Sequence, residues 1–270
     1  MKLLIDKTDY NETIKMAESL NQNYDKSIIF HCYWNGILNE KHLYSIKSCH
    51  YFHGKQHKII LWLENNIPNS LNDEIKKYAE IRNFIIENEK KDVYETYSYW
   101  YNYPIPFHSD VVRSLLLYNY GGCWFDLDIF FLRSFNPIFY NYGNEICVYQ
   151  WEAQNYPNNA IYISLEPKSE KMKRNIEFII NRNRGFGFQL ASLTYDLPLD
   201  MLVLPCSWFD GDWIENPYNI GTNNFFENTK NLKYDFTNFF PNAFCYHWHN
   251  KWNKEIEKNS ILKQLINVIS

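Results

Sequence analysis

The stretch from Ser109 to Phe131 reads SDVVRSLLLYNYGGCWFDLDIFF. Ser109 is placed to cap a helix, and Asp110 then falls in its first turn, where a carboxylate meets the positive end of the helix dipole. Val111, Val112, Leu115, Leu116 and Tyr118 recur at helical spacing, and Gly121-Gly122 supplies residues that readily leave a helix. The run from Cys123 to Phe131 then reads as one buried strand. Period two sends Cys123, Phe125, Leu127, Ile129 and Phe131 to one face and Trp124, Asp126, Asp128 and Phe130 to the other, so both carboxylates share a side.

Paired negative charge on so apolar a strand needs compensation. Two carboxylates ~5 Å apart repel by roughly 3 kcal/mol at an effective dielectric of 20, and burial adds a desolvation cost. Either one carboxylate protonates or a cation sits against both. Hard divalent ions such as Mg²⁺ and Mn²⁺ take carboxylate, water and phosphate oxygens. This Asp-x-Asp is therefore a candidate seat for a metal carrying a diphosphate. Spacing alone does not single it out, because a second pair, Asp210-Gly211-Asp212, stands in a turn-like context. The helix, the Gly-Gly step and the apolar run around Asp126 and Asp128 supply the specificity.

Those surroundings resemble the core motif of the DXD-containing sugar-binding glycosyltransferases, family 32 and its relatives. The group includes α-1,4-galactosyltransferases, yeast-type α-1,6-mannosyltransferases and the clostridial glucosylating toxins. Ser109, Asp110, Arg113, Leu117, Tyr118, Gly121, Gly122, Asp126 and Asp128 fit its pattern. The resemblance implies an α/β nucleotide-sugar transferase fold of the GT-A type, with a mostly parallel central sheet flanked by helices. It also implies catalytic roles. Asp128 binds the metal, Asp126 contacts the ribose and sugar and joins the metal shell, and Asp110 and Arg113 meet hydroxyls of the donor sugar. From the residues alone, Asp110 and Arg113 are equally an ordinary helix ion pair worth ~0.2–0.5 kcal/mol.

N-terminal to this motif, the pattern predicts a helix over Thr8 to Asn21, a strand over Ser27 to Tyr33, a helix over Asn39 to Phe52 and a strand over Lys58 to Leu63. That is a right-handed crossover between parallel strands. Ligands bind such sheets beyond the carboxyl ends of the strands, where Trp34 lies. The segment FHCYWNG, Phe30 to Gly36, is similar to the opening motif of the toxin-like branch. The similarity implies that Trp34 stacks on the uracil of the donor; from the residues alone, Trp34 could instead seal the strand end. His31 reads as a satisfied core histidine. Asp73 to Lys90 has the spacing of an amphipathic helix. Tyr94 to His108, interrupted by Pro104 and Pro106, reads as an acceptor-facing loop or a packed connector.

C-terminal to the motif, Ser134 to Asn144 reads as loop, and strands are expected over Glu145 to Trp151, Ile161 to Leu165 and Met201 to Leu204. A helix is expected over Ser169 to Asn183, followed by a turn at Arg184 to Gly187. Asn159 matches an Asn-Ala that the family places near the donor sugar. Cys245 to Trp252, CYHWHNKW, resembles the terminal segment of the α-1,4-galactosyltransferase branch; His247, Asn250 and Lys251 fit, and His249 stands where Trp is usual. This implies that His247 completes the metal–diphosphate site, and neutral imidazole suits Mn²⁺. Lys251 would offer a point charge to phosphate. If the stretch is extended, His247 and His249 share a side; they could equally be a surface pair among aromatics. Lys254 to Ile269 reads as an amphipathic helix packed on the body.

A chain of 270 residues with 46% hydrophobic content can bury a sizeable core, and residues 1–270 are expected to form one catalytic domain. Aromatics make up 19%, most of them read as packing and some as surfaces for sugars and a base. A net charge of −4 without a basic run argues against nucleic acid as partner. The start, MKLLIDKTDYNE, has only a brief apolar burst, and no apolar run approaches membrane length, so a soluble, cytoplasmic protein without a membrane span is expected. The six cysteines lack C-x-x-C spacing and read as reduced core residues. The expected activity is metal-dependent transfer, with retention as the family implies. The sugar would pass from a nucleoside-diphosphate donor, a UDP-sugar with Mn²⁺ or Mg²⁺, to a glycan or protein acceptor. The alternatives are a catalytically inactive nucleotide-sugar-binding relative and, less favoured, a glycoside hydrolase, which needs two carboxyls ~5–9.5 Å apart across the scissile bond.

Overall fold

A computed structural model describes residues 2–4, 9–64, 70–90, 105–151, 157–181, 200–218 and 224–270. The turn expected at Arg184 to Gly187 and residues 94–104 of the Tyr94 to His108 segment lie outside the described residues, and residues 105–108 are helical rather than loop. The elements in chain order are β1 (Lys2–Leu3), α1 (Tyr10–Ser19), β2 (Ile29–Trp34), α2 (Glu40–His53), β3 (Lys58–Leu63), α3 (Asn72–Ile75), β4 (Glu80–Asn83), α4 (Ile86–Glu89) and α5 (Ile105–Tyr120). They continue as β5 (Gly122–Phe125), β6 (Ile129–Phe131), α6 (Asn136–Tyr142), β7 (Cys147–Gln150), β8 (Pro157–Ser164), α7 (Glu170–Asn181), β9 (Leu202–Leu204), β10 (Cys245–His247) and α8 (Ile261–Ile269).

Eight strands form one sheet in the order β1-β9-β7-β8-β5-β2-β3-β4. Every pairing is parallel except the two that β8 makes, with β5 and β7. The expected α/β architecture, a mostly parallel sheet between helices, is what the chain adopts. Alternation along β5 buries Cys123 and Phe125 in one core layer and Trp124 in the other. The first layer also holds α1 and α2; the second holds Val111, Val112, Leu115 and Leu116 of α5 and Met172 and Ile176 of α7. Among the described residues no helix is long and apolar enough to cross a membrane.

The crossover β2-α2-β3 forms as the pattern predicts, with Asn39 capping α2 in a capping box with His42. His31 is a core histidine: Trp62 Nε1 donates to its Nδ1 at 3.1 Å, so its Nε2–H donates to Gly121 O at 3.0 Å. All six cysteines are buried and free. The Gly-Gly step is required by space as well as by turning. Gly121 and Gly122 have φ of +64° and +114°. A Cβ on Gly122 would lie 2.1 Å from Ile29 O, and one on Gly121 2.3 Å from Leu165 O.

Several expected elements are corrected. α5 begins at Ile105, so Ser109 lies within the helix rather than capping it, and Pro106 falls in the first turn, where no intrahelical donor is lost. α1 is capped by Asp9, whose Oδ1 accepts from Glu12 N–H at 2.8 Å, and Thr8 lies outside the described residues. Asp73 to Lys90 is not one helix. It divides into α3, β4 and α4, because β4 extends the sheet beside β3. Ser134 to Asn144 contains α6 rather than loop, entered through Pro137 in its first turn. β8 starts at Pro157, four residues before the expected strand. The terminal helix is α8 alone; Asn259 has a left-handed φ of +63° and Ser260 caps the helix, so residues 254–259 stay outside it. It does pack on the body, through Ile261, Leu262, Leu265 and Ile266.

Candidate functional site

β5 runs parallel to β2, and β2 to β3, so their carboxyl ends open on one side of the sheet. Asp126 is the first residue beyond β5, and its N–H donates to Ala160 O at 2.8 Å. The chain then turns, with Ile129 N–H donating to Asp126 O at 3.0 Å. β6 leaves the large sheet and pairs antiparallel with β10. The single strand expected over Cys123 to Phe131 is therefore two strands in two sheets, joined by an Asp-Leu-Asp turn. Asp126 and Asp128 come together through that turn rather than through strand alternation. They are close enough that Asp128 raises the pKa of Asp126.

Asp126 faces α5 and β8. Its Oδ1 accepts from Trp124 Nε1 at 2.7 Å and lies 3.2 Å from Arg113 Nη2. Arg113 is almost wholly buried, with its guanidinium over the Trp124 ring. Its Nη1 donates to both the carbonyl and Oδ1 of Asn159, each at 2.6 Å, and its Nη2 lies 3.3 Å from Asp110 Oδ1. Asn159 Nδ2 donates to the same Asp110 oxygen at 3.2 Å. The structure thus joins Asp110, Arg113, Asn159 and Asp126 in one buried network. Ser109 belongs to it too, its carbonyl and Oγ accepting from Arg113. One guanidinium serves two carboxylates. Burial raises the pKa of Asp110, and burial with Asp128 raises that of Asp126, in each case against the pull of Arg113.

Asp128 faces the other way. The β6–β10 register sets His247 opposite Ile129. His247 Nε2 lies 3.1 Å from Asp128 Oδ2, which also accepts from Asn250 N–H at 2.8 Å. β10 ends at His247, and His249 and Asn250 take left-handed φ of +51° and +55°. The terminal segment is therefore turned rather than extended. The turn still brings His249 onto His247, ring centroids 3.9 Å apart, and sets its Nε2 2.9 Å from Asp210 Oδ1. His247 Nδ1 lies 2.8 Å from the Tyr149 hydroxyl and 3.5 Å from Asp210 Oδ2. His247 is buried and His249 half-buried, so they are not a pair on the surface. Burial would lower the pKa of His247, but Asp128 and Asp210 outweigh it and hold the imidazole well above its ordinary value, at about 10. Burial would raise Asp128 and Asp210, and the two histidines hold both carboxyls low.

The opening and terminal segments also meet. Trp34 packs against His42 and Trp252, with centroids at 4.1 and 5.0 Å, and its Nε1 donates to Ile37 O at 3.2 Å. It is half-buried at the end of β2. Lys41, buried in α2, donates to the carbonyls of Lys251, Trp252 and Lys254, and so ties down the loop that carries Lys251. Beyond β3, Glu64 Oε2 accepts from the Tyr33 hydroxyl and from Asn35 Nδ2.

Residues 9–145, just over half of the chain, match the family of the glycosyltransferase sugar-binding region containing a DXD motif. The chain belongs to that family. No curated protein matches the sequence. Among solved structures, the chain is similar to the PaToxG glycosyltransferase, with 17% identity, a TM-score of 0.45, and coverage of 70% of this chain and 76% of that one. It is similar to the glycosyltransferase GlyE of Streptococcus pneumoniae TIGR4 at 13% identity and TM-score 0.44, covering 69% and 46% of the two chains. The apo WbbM bifunctional glycosyltransferase matches at 9% identity and TM-score 0.46, covering 70% and 40%. The chain spans less than half the length of these last two.

In a sugar-binding-region protein of this family, the DXD pair and His247 are the residues to test as metal holders. Among the described residues, neither Asp126 Oδ2 nor Asp128 Oδ1 has a hydrogen-bond partner, so each carboxylate keeps one oxygen to offer. Two carboxylates and an imidazole fit Mn²⁺, and Mg²⁺ less closely. Asp210, His247 and His249 also have ligand atoms within 4.8 Å of one another. Asp210, Tyr149, His249 and Lys41 went unassigned from the sequence. Asp210 had a signal, the second Asp-x-Asp, but a turn-like setting does not reveal that its carboxylate is buried. Tyr149 and Lys41 carried none, since only the fold brings them to the terminal segment.

Proposed function

We propose that this glycosyltransferase is a divalent-metal-dependent hexosyltransferase, with residues 1–270 acting as one catalytic domain. The donor is a nucleoside-diphosphate sugar, a UDP-sugar, and the acceptor a glycan or protein. The observation that carries this reading is the convergence on the Asp126–Asp128 turn of two separate polar networks, each leaving one carboxylate oxygen to offer. An ion held by Asp126, Asp128 and His247 would supply positive charge to the departing diphosphate. Asp110, Arg113 and Asn159 form a rigid buried network of donors and acceptors of the kind that meets sugar hydroxyls, with the more exposed Asp126 at its edge. Trp34, at the end of β2, presents a ring to the uracil. Lys251, held on the loop fastened by Lys41, contributes its ammonium to a phosphate. Retention of anomeric configuration is the family's stereochemistry and is adopted here on that ground.

A second reading has one observation in its favour. His247 between Asp128 and Asp210, and Arg113 between Asp110 and Asp126, neutralise the acidic groups without an ion, as a nucleotide-sugar-binding protein lacking turnover would need. One experiment separates the two: UDP release from UDP-sugars with Mn²⁺, with and without EDTA and a panel of glycan and protein acceptors. Release or transfer that EDTA abolishes supports the enzyme. Saturable nucleotide binding with no release under any acceptor supports the inactive relative. Cleavage of glycosides that EDTA leaves intact would indicate a hydrolase.

A further inference from the structure

The second Asp-x-Asp finds its use behind the first. Asp210 is wholly buried, and its carboxylate meets the terminal segment on one side and Tyr149 and Trp151, in and just beyond β7, on the other. Oδ1 lies 2.9 Å from His249 Nε2, while Oδ2 accepts from Trp151 Nε1 at 2.7 Å and lies 3.5 Å from both the Tyr149 hydroxyl and His247 Nδ1. Two residues on, Asp212 Oδ2 accepts from the hydroxyl of Tyr246, the residue before His247. Gly211 between them lies under the Phe240 ring, where a Cβ would come within 2.7 Å of ring carbons. The Asp210-Gly211-Asp212 turn therefore braces β10 from the side opposite Asp128.

We propose that Asp210 and Tyr149 are positioning residues that fix the ring orientation and tautomer of His247, so that its Nε2 is presented to the Asp128 side. This rests on the reading of His247 as a metal ligand. The argument is one of proton count. The Asp210 carboxylate can only accept. The Tyr149 phenol has one proton, and when it turns that proton to Asp210 its oxygen is left as acceptor for His247 Nδ1–H at 2.8 Å. With one proton held on Nδ1, the other is the Nε2–H that points at Asp128 from 3.1 Å, and that is the proton an incoming ion would displace to take the Nε2 lone pair. Carboxylate partners behind a metal-binding histidine act in this way, and losing one typically weakens metal affinity about 10- to 100-fold. Trp151 and His249 hold Asp210 from its remaining sides and keep it from rotating away.

The test is Mn²⁺ affinity of the full chain, followed by electron paramagnetic resonance of the free ion, alongside imidazole nitrogen NMR of the Mg²⁺-loaded protein. Asp210→Asn and Tyr149→Phe are each expected to weaken Mn²⁺ binding by about 10- to 100-fold. Both are expected to lose the Nδ1–H signature of His247, which a merely structural role would leave in place. Tyr149→Phe keeps the question answerable should Asp210→Asn fail to fold. If the wild type binds Mn²⁺ and Tyr149→Phe binds within twofold of it with the Nδ1–H signal intact, the positioning role is wrong while the metal site stands. If the wild type takes up no Mn²⁺, the metal reading fails and this inference with it. If His249→Gln abolishes binding while Asp126→Asn and Asp128→Asn do not, the ion sits among Asp210, His247 and His249, and the positioning role is overturned.

Discussion

At the scale of single residues, the site is a balance of a few buried charges. Among the described residues, Arg113 is the cation between the Asp110 and Asp126 carboxylates. Removing one member of a buried pair costs about 3–5 kcal/mol, because a charge is left without its partner. Arg113→Met is expected to fall at the lower end of that range in urea unfolding, since Asp126 is partly exposed. Asp128→Asn keeps the side chain's shape and removes its charge; metal-dependent UDP release is expected to drop at least 100-fold, the scale seen when a group stabilising transition-state charge is lost. The pH dependence of the metal-free protein follows from His247. Its folded pKa lies above the unfolded value of about 6.5, so the stability it contributes is full below that value and is lost as pH rises through about 10. Asp128 and Asp210 have depressed values, so their contribution is present above about pH 4 and is lost as pH falls further. Melting temperature of the EDTA-treated wild type should therefore decline between pH 7 and 10. The same scan on His247→Gln should be flatter; an identical slope would remove His247 as the cause.

At the scale of elements, the joint between α5 and β5 leaves no room for a side chain at Gly121 or Gly122. Gly122→Ala forces a methyl group onto the Ile29 carbonyl of the neighbouring strand at a φ that alanine rarely adopts. A loss of about 2–4 kcal/mol is expected, read from the midpoint of denaturant unfolding. This joint was legible in sequence because its signals are local: helical spacing from Val111 to Tyr118, then two glycines. The β2-α2-β3 unit was legible for the same reason. Asp73 to Lys90 was not, although Ile75, Tyr78, Ala79 and Arg82 mark a helical face. Hydrogen bonding to the open edge of β3 draws Glu80–Asn83 into the sheet, and a competition decided by a distant edge leaves no local trace. The break after Phe125 was hidden for a related reason, since nine alternating residues look alike whether they form one strand or two. Asp110, Arg113, Asn159, Asp126, Asp128 and His247 could be singled out from the sequence, and the fold brings them together around one turn. The bracing by Asp210 and Tyr149 could not, because those contacts join positions 61 and 98 residues apart.

At the scale of the whole molecule, the proposed site draws on Trp34, the Asp126–Asp128 turn and the loop that carries Lys251, three stretches far apart in sequence. A donor that bridges Trp34, the Asp126–Asp128 turn and Lys251 should fasten them together. UDP-sugar with Mn²⁺ at a hundred times the dissociation constant is expected to stabilise the native state by about 2.7 kcal/mol, seen as a rise in melting temperature. A rise produced equally by GDP-mannose and UDP-sugars would count against the uracil role of Trp34. The tie between Lys41 and the carbonyls of Lys251 and Trp252 spans 210 and 211 residues, and that between Asp128 and His247 spans 119. During synthesis, then, the acidic turn emerges from the ribosome long before the histidine that will neutralise it. A nascent chain arrested before residue 245 would expose Asp128 with neither its imidazole nor its backbone cap. Only when residues 245–250 have emerged can Asp128 meet its imidazole and the Asn250 N–H.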